Sequence, residues 1–409
     1  MEKIHEKTDI LILGAGIGGY EAYRTLAKKL KRIRSPKIIT VIDQNNYFTF
    51  TPMLHEAATG AVVPYHCAIP LRSIIKAPHR FLKTRVEHID PVKKTVTTDA
   101  GKIQYDYCVM ALGSQVNYFN IPGAREHTYH VRTLSGALRL QRDFVSNLEK
   151  CTKEINLTIV GGAFTGVEVA GQFSHFVKTD IEKLYPDKKV HIRLIQSNEF
   201  LLPQLPQKIR KHVATRLRNE NVEIYLNSTV KKVTAEYLEL ANGEKIPSDM
   251  NIWTTGFANT AACYLDKDFC ERERVPVTSR LQHQKFTHLY AVGDIALVVD
   301  PNNNSFYPQL GEAAHKEGQY VAKHIIADIQ HKKISEFRFK SFGTIIPLGS
   351  WDAVAMIGPF TFYGPIAWWL RRTAYLLFFP GLLRKIKIAI DWTLHSISHR
   401  YIIDVENEI

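Results

Sequence analysis

The sequence predicts an α/β fold that consists of two Rossmann-like domains followed by a C-terminal region of amphipathic helices. Two observations predict the domains: a strand, a glycine-rich turn and a helix succeed one another in residues 8–30, and the same order returns in residues 156–173. A third observation predicts the tail. Between residues 365 and 400, six arginines or lysines and one acid interrupt long apolar and aromatic side chains.

Size, composition and cysteine usage restrict the classes of protein that this chain can be. Its 409 residues favour two or more domains, and 45% hydrophobic with 23% charged residues is ordinary for a folded protein. The net charge of +13 indicates an anionic partner: nucleic acid, an acidic membrane face or a phosphorylated ligand. Five cysteines without a CxxC pair predict reduced thiols in a cytosolic compartment and exclude disulfide-exchange chemistry. We expect no secretory signal and no membrane span.

The first glycine-rich turn has the spacing GxGxxG. Its first glycine permits the tight turn, the second lets the backbone approach a pyrophosphate, and the third lets the helix pack closely on the strand. The N-terminus of the helix then faces the phosphates with free N–H groups and a positive dipole. The next strand, "KIITVID", ends in Asp43, which is placed to bind a ribose diol. The predicted dinucleotide site comprises Gly14, Ala15, Gly16, Gly18, Gly19 and Asp43.

The second glycine-rich turn keeps this spacing but departs from it at two positions. Ala163 replaces the middle glycine, and its methyl group slightly hinders the approach of a pyrophosphate. The strand "KVHIRLIQ" ends in Gln196 instead of an acid. A carboxylate at this position would bind the ribose diol and repel a 2′-phosphate, and a neutral amide does neither. This position therefore permits both NADH and NADPH. The predicted second site comprises Gly161, Gly162, Ala163, Gly166 and Gln196.

Three further strand ends are typical of a chain that binds two dinucleotides. "YCVMALGS" (107–114) carries Ala111 and ends near Gly113, and "NIWTTGF" (251–257) carries Gly256 as its counterpart. "THLYAVGDIA" (287–296) delivers Gly293 and Asp294. The Asp294 carboxylate can bind a ribityl hydroxyl of FAD, or it can be only a turn residue at a strand end. Two dinucleotide folds in one chain favour electron transfer between FAD and NAD(P)H.

With these motifs the chain resembles the type II NADH:quinone oxidoreductases, which are single-subunit flavoproteins of the glutathione-reductase-like fold. The resemblance rests on "NNYFTFTPMLHEAATG" (45–60), "IVGGAFTGVEVAG" (159–171), "LYAVGDIA" (289–296) and, most specifically, "GPIAWWLRRTAYLLFFPGLLRKIKIAIDW" (364–392). It implies FAD on the first turn, Asp43, Gly113 and Asp294, with the loop around Pro52 near the isoalloxazine ring. It also implies NADH in the second domain with Glu168 beside the nicotinamide. A plainer interpretation of Glu168 is an acid that the dipole favours in the first turn of its helix.

The resemblance also implies a domain order and a location. An FAD-binding domain of residues 1–118 and 258–330 is interrupted by an NAD(P)H-binding domain of residues 119–257, and a membrane-anchoring and dimerisation region of residues 331–409 follows. The expected molecule is a homodimer without nucleic acid or metal. It lies as a peripheral protein on the cytoplasmic face of the inner (plasma) membrane.

The candidate quinone contact departs from the family pattern. Family members carry two glutamines four residues apart on the helix after the "GD" strand, whereas this chain has Glu312 and Lys316 there. A lysine can stabilise a reduced quinone oxygen and a glutamate can relay protons. An ordinary i,i+4 surface ion pair explains the two residues equally well. Three acceptors therefore stay open: a quinone, a sulfide-linked compound or a protein.

Residues 382–397 are predicted to form an amphipathic helix. On a helical wheel, Ile388 and Trp392 interrupt its polar side, and Pro380-Gly381 separates it from a preceding helix that contains Arg371-Arg372. Apolar side chains, aromatic residues and basic residues together are typical of an in-plane membrane anchor, although packing on the protein or on a partner subunit is the alternative. The predicted apolar arc is Leu382, Leu383, Ile386, Ala389, Ile390, Leu394 and Ile397.

The predicted function is the oxidation of NAD(P)H and the reduction of a quinone by a peripheral membrane flavoprotein that does not pump protons. Two rivals stay open. One is a flavoenzyme with a sulfide-linked or protein acceptor. The other is a basic flavoprotein that acts mainly by binding nucleic acid, although the basic tail lacks the isolated stacking platforms of such proteins.

Overall fold

A computed structural model describes residues 4–151, 153–302, 304–379, 381–397, 400 and 402. The chain divides into two compact units. The first unit comprises Met1–Phe50, Ala68–Gln115 and Phe257–Ser341, and the second comprises Thr51–Cys67, Val116–Gly256 and Phe342–Ile409. Pro380, the predicted break between the last two helices, lies outside the described residues. The side chains of His395 and Ile397 lie outside them as well.

The described residues form the following strands and helices. The strands are β1 (Ile4–Leu13), β2 (Ile39–Asp43), β3 (Tyr47–Thr49), β4 (Ala68–Pro70), β5 (Arg80–Lys83), β6 (Val86–Asp90), β7 (Thr95–Thr98), β8 (Gly101–Met110), β9 (Ser114–Val116), β10 (Glu154–Val160), β11 (Lys189–Ile195), β12 (Val222–Tyr225), β13 (Val230–Val233), β14 (Tyr237–Leu240), β15 (Lys245–Pro247), β16 (Met250–Trp253), β17 (Phe257–Asn259), β18 (Val275–Pro276), β19 (Leu289–Ala291), β20 (Ala296–Leu297), β21 (Thr344–Pro347), β22 (Ala353–Ile357) and β23 (Phe360–Tyr363). The helices are α1 (Ile17–Arg32), α2 (Leu54–Ala57), α3 (Leu71–Ile74), α4 (Leu134–Lys150), α5 (Phe164–Phe176), α6 (Glu182–Leu184), α7 (Gln207–Asn219), α8 (Gly311–Ile329), α9 (Gly364–Phe378) and α10 (Leu382–Ile397).

The first unit is built on a sheet in the order β5-β2-β1-β8-β7-β6, with β19 also paired to β8. β1 runs parallel to β2 and β8, and its apolar run from Ile10 to Leu13 is fully buried, as is typical of a central parallel strand. The amino-terminal half of β8 pairs with β7 and its carboxyl-terminal half with β19. The carboxyl ends of β1, β8 and β19 therefore meet at one edge, where open α/β sheets bind their ligands.

Helices α1 and α8 pack closely within the first unit. A Cβ atom on Gly318 would lie 2.3 Å from the carbonyl oxygen of Gly18, and a Cβ on Gly18 would lie 3.3 Å from the carbonyl oxygen of Ala314. Glycine at both positions lets the two helix backbones approach each other. Gly18 thus serves helix packing in addition to its place in the glycine-rich turn.

The second unit contains a parallel sheet in the order β12-β11-β10-β16 and an antiparallel sheet β13-β14-β15. Val160, Ile195, Leu238 and Trp253 belong to one buried core cluster of this unit. On another side, Phe144 of α4 packs against Phe173 of α5 with a ring-centroid distance of 5.3 Å. Because Val160 directly precedes the second glycine-rich turn, the core cluster holds the strand end that leads into that turn.

The C-terminal part of the second unit is an antiparallel sheet β21-β22-β23 followed by α9 and α10. Ala367 and Trp368 of α9 pack on Ala353 and Ala355 of β22. Trp351 stacks on Trp368 with a centroid distance of 4.4 Å. The predicted C-terminal helices are therefore present and attached to an apolar surface of their own unit.

The predicted α/β fold with two Rossmann-like sheets is confirmed, with small differences at strand ends. β8 ends at Met110, before the predicted end at Gly113, and β1 begins at Ile4, earlier than the predicted start at residue 8. The assignment of functional domains to residues 1–118, 119–257, 258–330 and 331–409 stays a prediction.

Candidate dinucleotide and redox sites

The first glycine-rich turn connects β1 to α1. Gly14 has φ +90°, and a Cβ on Gly19 would lie 1.9 Å from the Gly14 carbonyl oxygen, so the fold itself requires glycine at both positions. Gly16 differs because a Cβ there would meet no protein atom within 4 Å. Protein packing therefore leaves the glycine at 16 unexplained, whereas the close approach of a pyrophosphate to the exposed start of α1 explains it. By this test the turn fits FAD.

Asp43 ties the end of β2 to this turn. Its carboxylate accepts hydrogen bonds from the backbone N–H of Ala15 (2.7 Å) and of Asn45 (2.8 Å). Burial raises the pKa of Asp43, and the two backbone donors counteract part of that rise. A carboxylate oxygen has two lone-pair sites, so each oxygen can accept a ribose hydroxyl in addition to its backbone donor.

The residues of the "GD" segment lie at the end of β19. The hydroxyl of Ser114 donates to Asp294 Oδ2 over 2.6 Å, and the N–H of Gly293, whose φ is +74°, donates to Glu317 Oε2 over 2.6 Å. Burial raises the pKa of Glu317 to about 7. The glycine-turn motif did not predict Glu317. The sequence signal for Glu317 was an acid among the small and apolar residues of α8.

The other predicted cofactor contacts of the crossover segments differ in how well packing explains them. Gly113 has φ +70° and a Cβ there would meet no protein atom within 4 Å, as at Gly16. Ala111 is buried and its N–H donates to the Leu13 carbonyl over 2.7 Å. Gly256 has φ +77°, and a Cβ would lie 2.5 Å from the Phe119 ring, so its conformation and packing already require glycine. In the second unit, Pro52 belongs to a partly exposed 3-10 turn just before α2.

The second glycine-rich turn connects β10 to α5. Gly161 has φ +112°, and a Cβ on Gly166 would lie 1.7 Å from the Gly161 carbonyl oxygen. Gln196 is 7% exposed, and its Oε1 accepts the N–H of Gly162 over 2.9 Å while its Nε2 donates to the Phe200 carbonyl over 3.3 Å. The amide thus supports this turn as the Asp43 carboxylate supports the first. Exposed Ala163 caps α5 at the position equivalent to Gly16.

Glu168 lies at the fifth residue of α5, so the prediction that it occupies the first turn was wrong. Its side chain is 16% exposed and lies 3.7 Å from His55 Nδ1. Burial raises the pKa of Glu168 to about 7; Arg371 opposes this rise and Glu56 adds to it. An acid in this surrounding changes its protonation near neutral pH, which is a property that catalytic sites use. The helix dipole alone does not explain such a position.

A buried polar cluster surrounds Glu168 in the second unit. Arg371 of α9 is 1% exposed and forms an ion pair with Glu56. Its Nη2 donates a hydrogen bond to His55 Nε2 over 3.0 Å. Trp392 of α10 donates from Nε1 to the other oxygen of Glu56 over 2.8 Å. The sequence motifs did not predict this cluster. The available signals were the adjacent His55-Glu56 in the segment "NNYFTFTPMLHEAATG" (45–60) and an arginine inside an apolar helix.

Glu312 and Lys316 form the i,i+4 ion pair that the sequence offered as the plainer interpretation. Their Nζ–Oε1 distance is 2.9 Å, and the Ser341 hydroxyl donates to Glu312 Oε2 over 2.9 Å. Lys316 also donates to the Lys340 carbonyl. Both charged groups are therefore engaged with protein partners, and a contact with quinone stays a proposal.

Helix α10 attaches to the second unit through the side that the sequence predicts to be polar. Ile388 and Trp392 are 0% and 4% exposed, and Asp391 accepts from His66 Nδ1 over 2.6 Å. Leu382 and Leu383 of the predicted apolar arc are 74% and 77% exposed. Among the described residues, no helix combines the length and apolar character that a membrane crossing requires.

Three of the six tail cations do not fit the predicted lipid contact. Arg371 is buried against Glu56, and buried Arg400 lies 3.7 Å from Asp180 through its Nε. The Arg372 guanidinium lies 3.4 Å from the ring centroid of Trp368. The sequence cannot reveal this because charge patterning does not show which arginines fold inward. The remaining tail cations are Arg384, Lys385 and Lys387.

The two turns and their strand-end acceptors define a protein with two dinucleotide-binding folds. The model of the pyridine nucleotide-disulphide oxidoreductase family matches residues 8–318. The chain belongs to that family.

Individual relatives and solved structures show which members of this family the chain resembles. A probable NADH dehydrogenase of Dictyostelium discoideum is 27% identical over 95% of this chain and 90% of its own length. The type II NADH:quinone oxidoreductase Ndh of Mycobacterium tuberculosis is 27% identical over 96% of this chain and 88% of its own length. NDH2 of Plasmodium falciparum, solved in complex with NADH, has a TM-score of 0.87 at 20% identity and covers 97% of this chain and 100% of its own. The predicted resemblance to type II NADH:quinone oxidoreductases is confirmed.

Proposed function

We propose that this chain is a flavoenzyme that transfers two electrons from NAD(P)H through FAD to a quinone. The observation that carries the proposal is the repeated turn, in which a side chain at the end of the second strand, Asp43 or Gln196, fixes the turn that begins the helix. Relatives that match nearly the whole chain bear the name type II NADH:quinone oxidoreductase. FAD, when bound, supplies the redox chemistry by accepting a hydride and releasing its electrons.

The residues of the chain bind and orient the two dinucleotides. The turn at Gly14–Gly19 would hold the FAD pyrophosphate, Asp43 its ribose and Asp294 its ribityl chain. The turn at Gly161–Gly166 would hold the NAD(P)H pyrophosphate. Because the Gln196 amide is neutral, it contributes no charge that selects between NADH and NADPH, and both of its ends are hydrogen-bonded within the protein.

Glu168 is the candidate catalytic acid of the second unit. Its pKa of about 7 lets it exist in both protonation states at neutral pH, so it can hold a proton beside the nicotinamide or release one. We assign it this position from the motif match. Glu312 and Lys316 stay candidates for contact with the quinone. Any such contact would require the two residues to break their mutual ion pair.

Electron transfer to a lipid-soluble quinone calls for a protein held at a bilayer surface, and the tail supports such a role. Leucine and isoleucine side chains face outward along α10, with Leu382 74%, Leu383 77%, Ile386 47% and Ile390 50% exposed. Exposed Trp369 of α9 adds an aromatic ring of the kind found at headgroup depth. We propose peripheral attachment through this face, on the cytoplasmic side of the inner membrane, and a homodimer as the assembled form.

The thiols do not favour a sulfide-linked acceptor. Cys67 and Cys108 are fully buried, and burial raises the pKa of both, so neither is a ready thiolate. Cys263 is exposed but has no closely spaced cysteine partner in the sequence. The quinone is therefore the acceptor we propose.

The decisive experiment compares acceptors with FAD-loaded protein on liposomes that contain anionic lipid. We expect rapid reduction of membrane quinone by NADH or NADPH. The double substitution Leu382→Glu, Leu383→Glu should release the protein from liposomes and reduce that rate, while ferricyanide reduction in solution persists. The control Val92→Glu alters an apolar residue of similar exposure (71%) outside the tail helices. Flavin that is reduced by nucleotide but reoxidised by no quinone would overturn the proposed acceptor.

A further inference from the structure

The buried cluster around Glu168 fixes which nitrogen of His55 carries a proton. The guanidinium Nη2 of Arg371 lies 3.0 Å from His55 Nε2. A guanidinium is only a donor, so Nε2 must accept this hydrogen bond. Burial and the neighbouring Arg371 lower the pKa of His55 to about 3, so the ring is neutral at pH 7. A neutral ring that accepts at Nε2 carries its hydrogen on Nδ1.

That hydrogen faces the candidate catalytic acid. His55 Nδ1 lies 3.7 Å from Glu168 Oε2, and the side chains of the two residues are 3% and 16% exposed. An N–H···O hydrogen bond has a heavy-atom distance near 2.9–3.0 Å, so a movement of less than about 1 Å brings the two groups into bonding distance. The donor is neutral, and the hydrogen bond between His55 Nε2 and Arg371 sets its orientation.

We propose that His55 is a positioning residue, which Arg371 holds as an Nδ1–H donor toward Glu168, so that His55 favours the ionised form of this acid. The inference rests on the proposed function only in placing Glu168 beside the nicotinamide. The arrangement links the C-terminal helix α9 to the acid on α5 through one imidazole ring. It is a contact that the glycine-turn motifs do not contain.

The other charged or titratable groups that act on Glu168 come from α2 and α9. Glu56 and Arg371 form an ion pair with each other, and their effects on the pKa of Glu168 have opposite signs. Burial raises the pKa of Tyr375 to about 12, so its ring is neutral at pH 7. With the ion pair intact, the hydrogen on His55 Nδ1 is a neutral donor that can change the protonation of Glu168.

Two amide substitutions separate the two ring nitrogens. In His55→Asn the side-chain NH2 replaces Nδ1–H, so the donor toward Glu168 is kept. In His55→Gln the side-chain oxygen replaces Nε2, so the acceptor for Arg371 is kept and the donor at the Nδ1 position is lost. Both side chains are neutral and polar, and neither removes Arg371 or Glu56, whose loss would leave a buried charge without a partner.

The experiment follows the ionisation of Glu168 by infrared difference spectroscopy of the FAD-loaded protein without nicotinamide, with Glu168→Gln assigning the carboxyl band. We expect His55→Gln to move the titration midpoint upward by about one pH unit, a tenfold change in the proton-binding constant, since a carboxylate loses a donor. His55→Asn should stay within about 0.3 of the natural protein. The pH profile of flavin reduction by NADH should move in the same way.

An unchanged midpoint in His55→Gln would overturn the proposal, and so would equal upward shifts in both variants, since packing alone would then explain them. The infrared readout needs neither quinone nor turnover. A failure of quinone reduction would therefore overturn the proposed function and leave the role of His55 standing.

Discussion

The two glycine-rich turns achieve the same backbone geometry with different chemistry at equivalent positions. The first turn reads Gly14-Ala15-Gly16 and is capped by a carboxylate, whereas the second reads Gly161-Gly162-Ala163 and is capped by an amide. In both, a side-chain oxygen at the end of the second strand accepts a backbone N–H of the turn, over 2.7 Å and 2.9 Å. The hydrogen bond from the backbone N–H of the turn to the capping side chain is therefore the shared structural requirement. The charge of that side chain differs between the two turns and can differ with the ligand.

The largest effects should follow from adding a methyl group where the helix of each unit contacts its glycine-rich turn. Gly19→Ala places a Cβ against the Gly14 carbonyl, and Gly166→Ala does so against the Gly161 carbonyl. We expect Gly19→Ala to purify almost without FAD and to lose about 3 kcal/mol or more of stability. Gly166→Ala should keep its FAD and weaken NADH binding at least about 100-fold. Flavin absorbance per protein and NADH titration test both, and equal FAD loss in both variants would contradict a separate role for each turn.

The second prediction concerns two buried acids, Glu168 in the second unit and Glu317 in the first. Burial raises the pKa of each to about 7, above the ordinary 4.5. Between these values the folded protein binds more protons than the unfolded chain, so these groups make stability fall as pH rises from 4.5 to 7. Replacement by glutamine should therefore stabilise the protein at pH 8, by up to about 3 kcal/mol, and hardly at all at pH 4.5.

Chemical unfolding of the FAD-loaded variants at both pH values checks this prediction. Glu317→Gln keeps an oxygen that can accept the Gly293 N–H, so the charge is removed with little loss of hydrogen bonding. Glu182→Gln is the control, because it also replaces a glutamate by glutamine, at an exposed residue. A gain in stability at pH 4.5 that equals the gain at pH 8 would show that packing, not ionisation, is responsible.

The third prediction alters the charge of the cap in the second turn. Gln196→Glu keeps an oxygen for the Gly162 N–H but introduces a negative charge beside the predicted ribose, where it repels a 2′-phosphate. We expect the preference for NADH over NADPH, as the ratio of kcat/KM values, to rise about tenfold. FAD content should stay unchanged, and an unaltered ratio would place the adenosine ribose elsewhere.

The sequence predicted the two turns well because their requirements are local. Gly14 and Gly161 are required by their positive φ angles, and Gly19 and Gly166 by contact with the carbonyl oxygens of those two glycines, which lie close in sequence. The buried cluster could not be predicted in this way. Glu56 and Trp392 are 336 positions apart in sequence, and their hydrogen bond forms only because the tail folds back onto α2.

The tail shows the same limit in another form. A helical wheel correctly separated the apolar arc from the other side of α10, but it could not show which side faces the protein. Ile388 and Trp392, which interrupted the polar side, are buried, and the leucines and isoleucines of the arc from Leu382 to Leu394 are exposed. Interruptions of an amphipathic pattern therefore marked the attachment to the protein, and the regular part marked the surface available to another partner.

The smallest effect should come from exchanging the third residue between the two turns. Gly16 and Ala163 are both exposed, and a Cβ on Gly16 meets no protein atom within 4 Å, so Gly16→Ala should not change the stability of the protein without FAD. It should weaken FAD binding, while Ala163→Gly should strengthen NADH binding by about threefold, since one methyl group no longer faces the pyrophosphate. Isothermal titration of each nucleotide measures these changes. Opposite signs in the two turns would establish that this position acts on the ligand alone; a loss of stability in Gly16→Ala would mean that the fold, not the phosphate, demands glycine there.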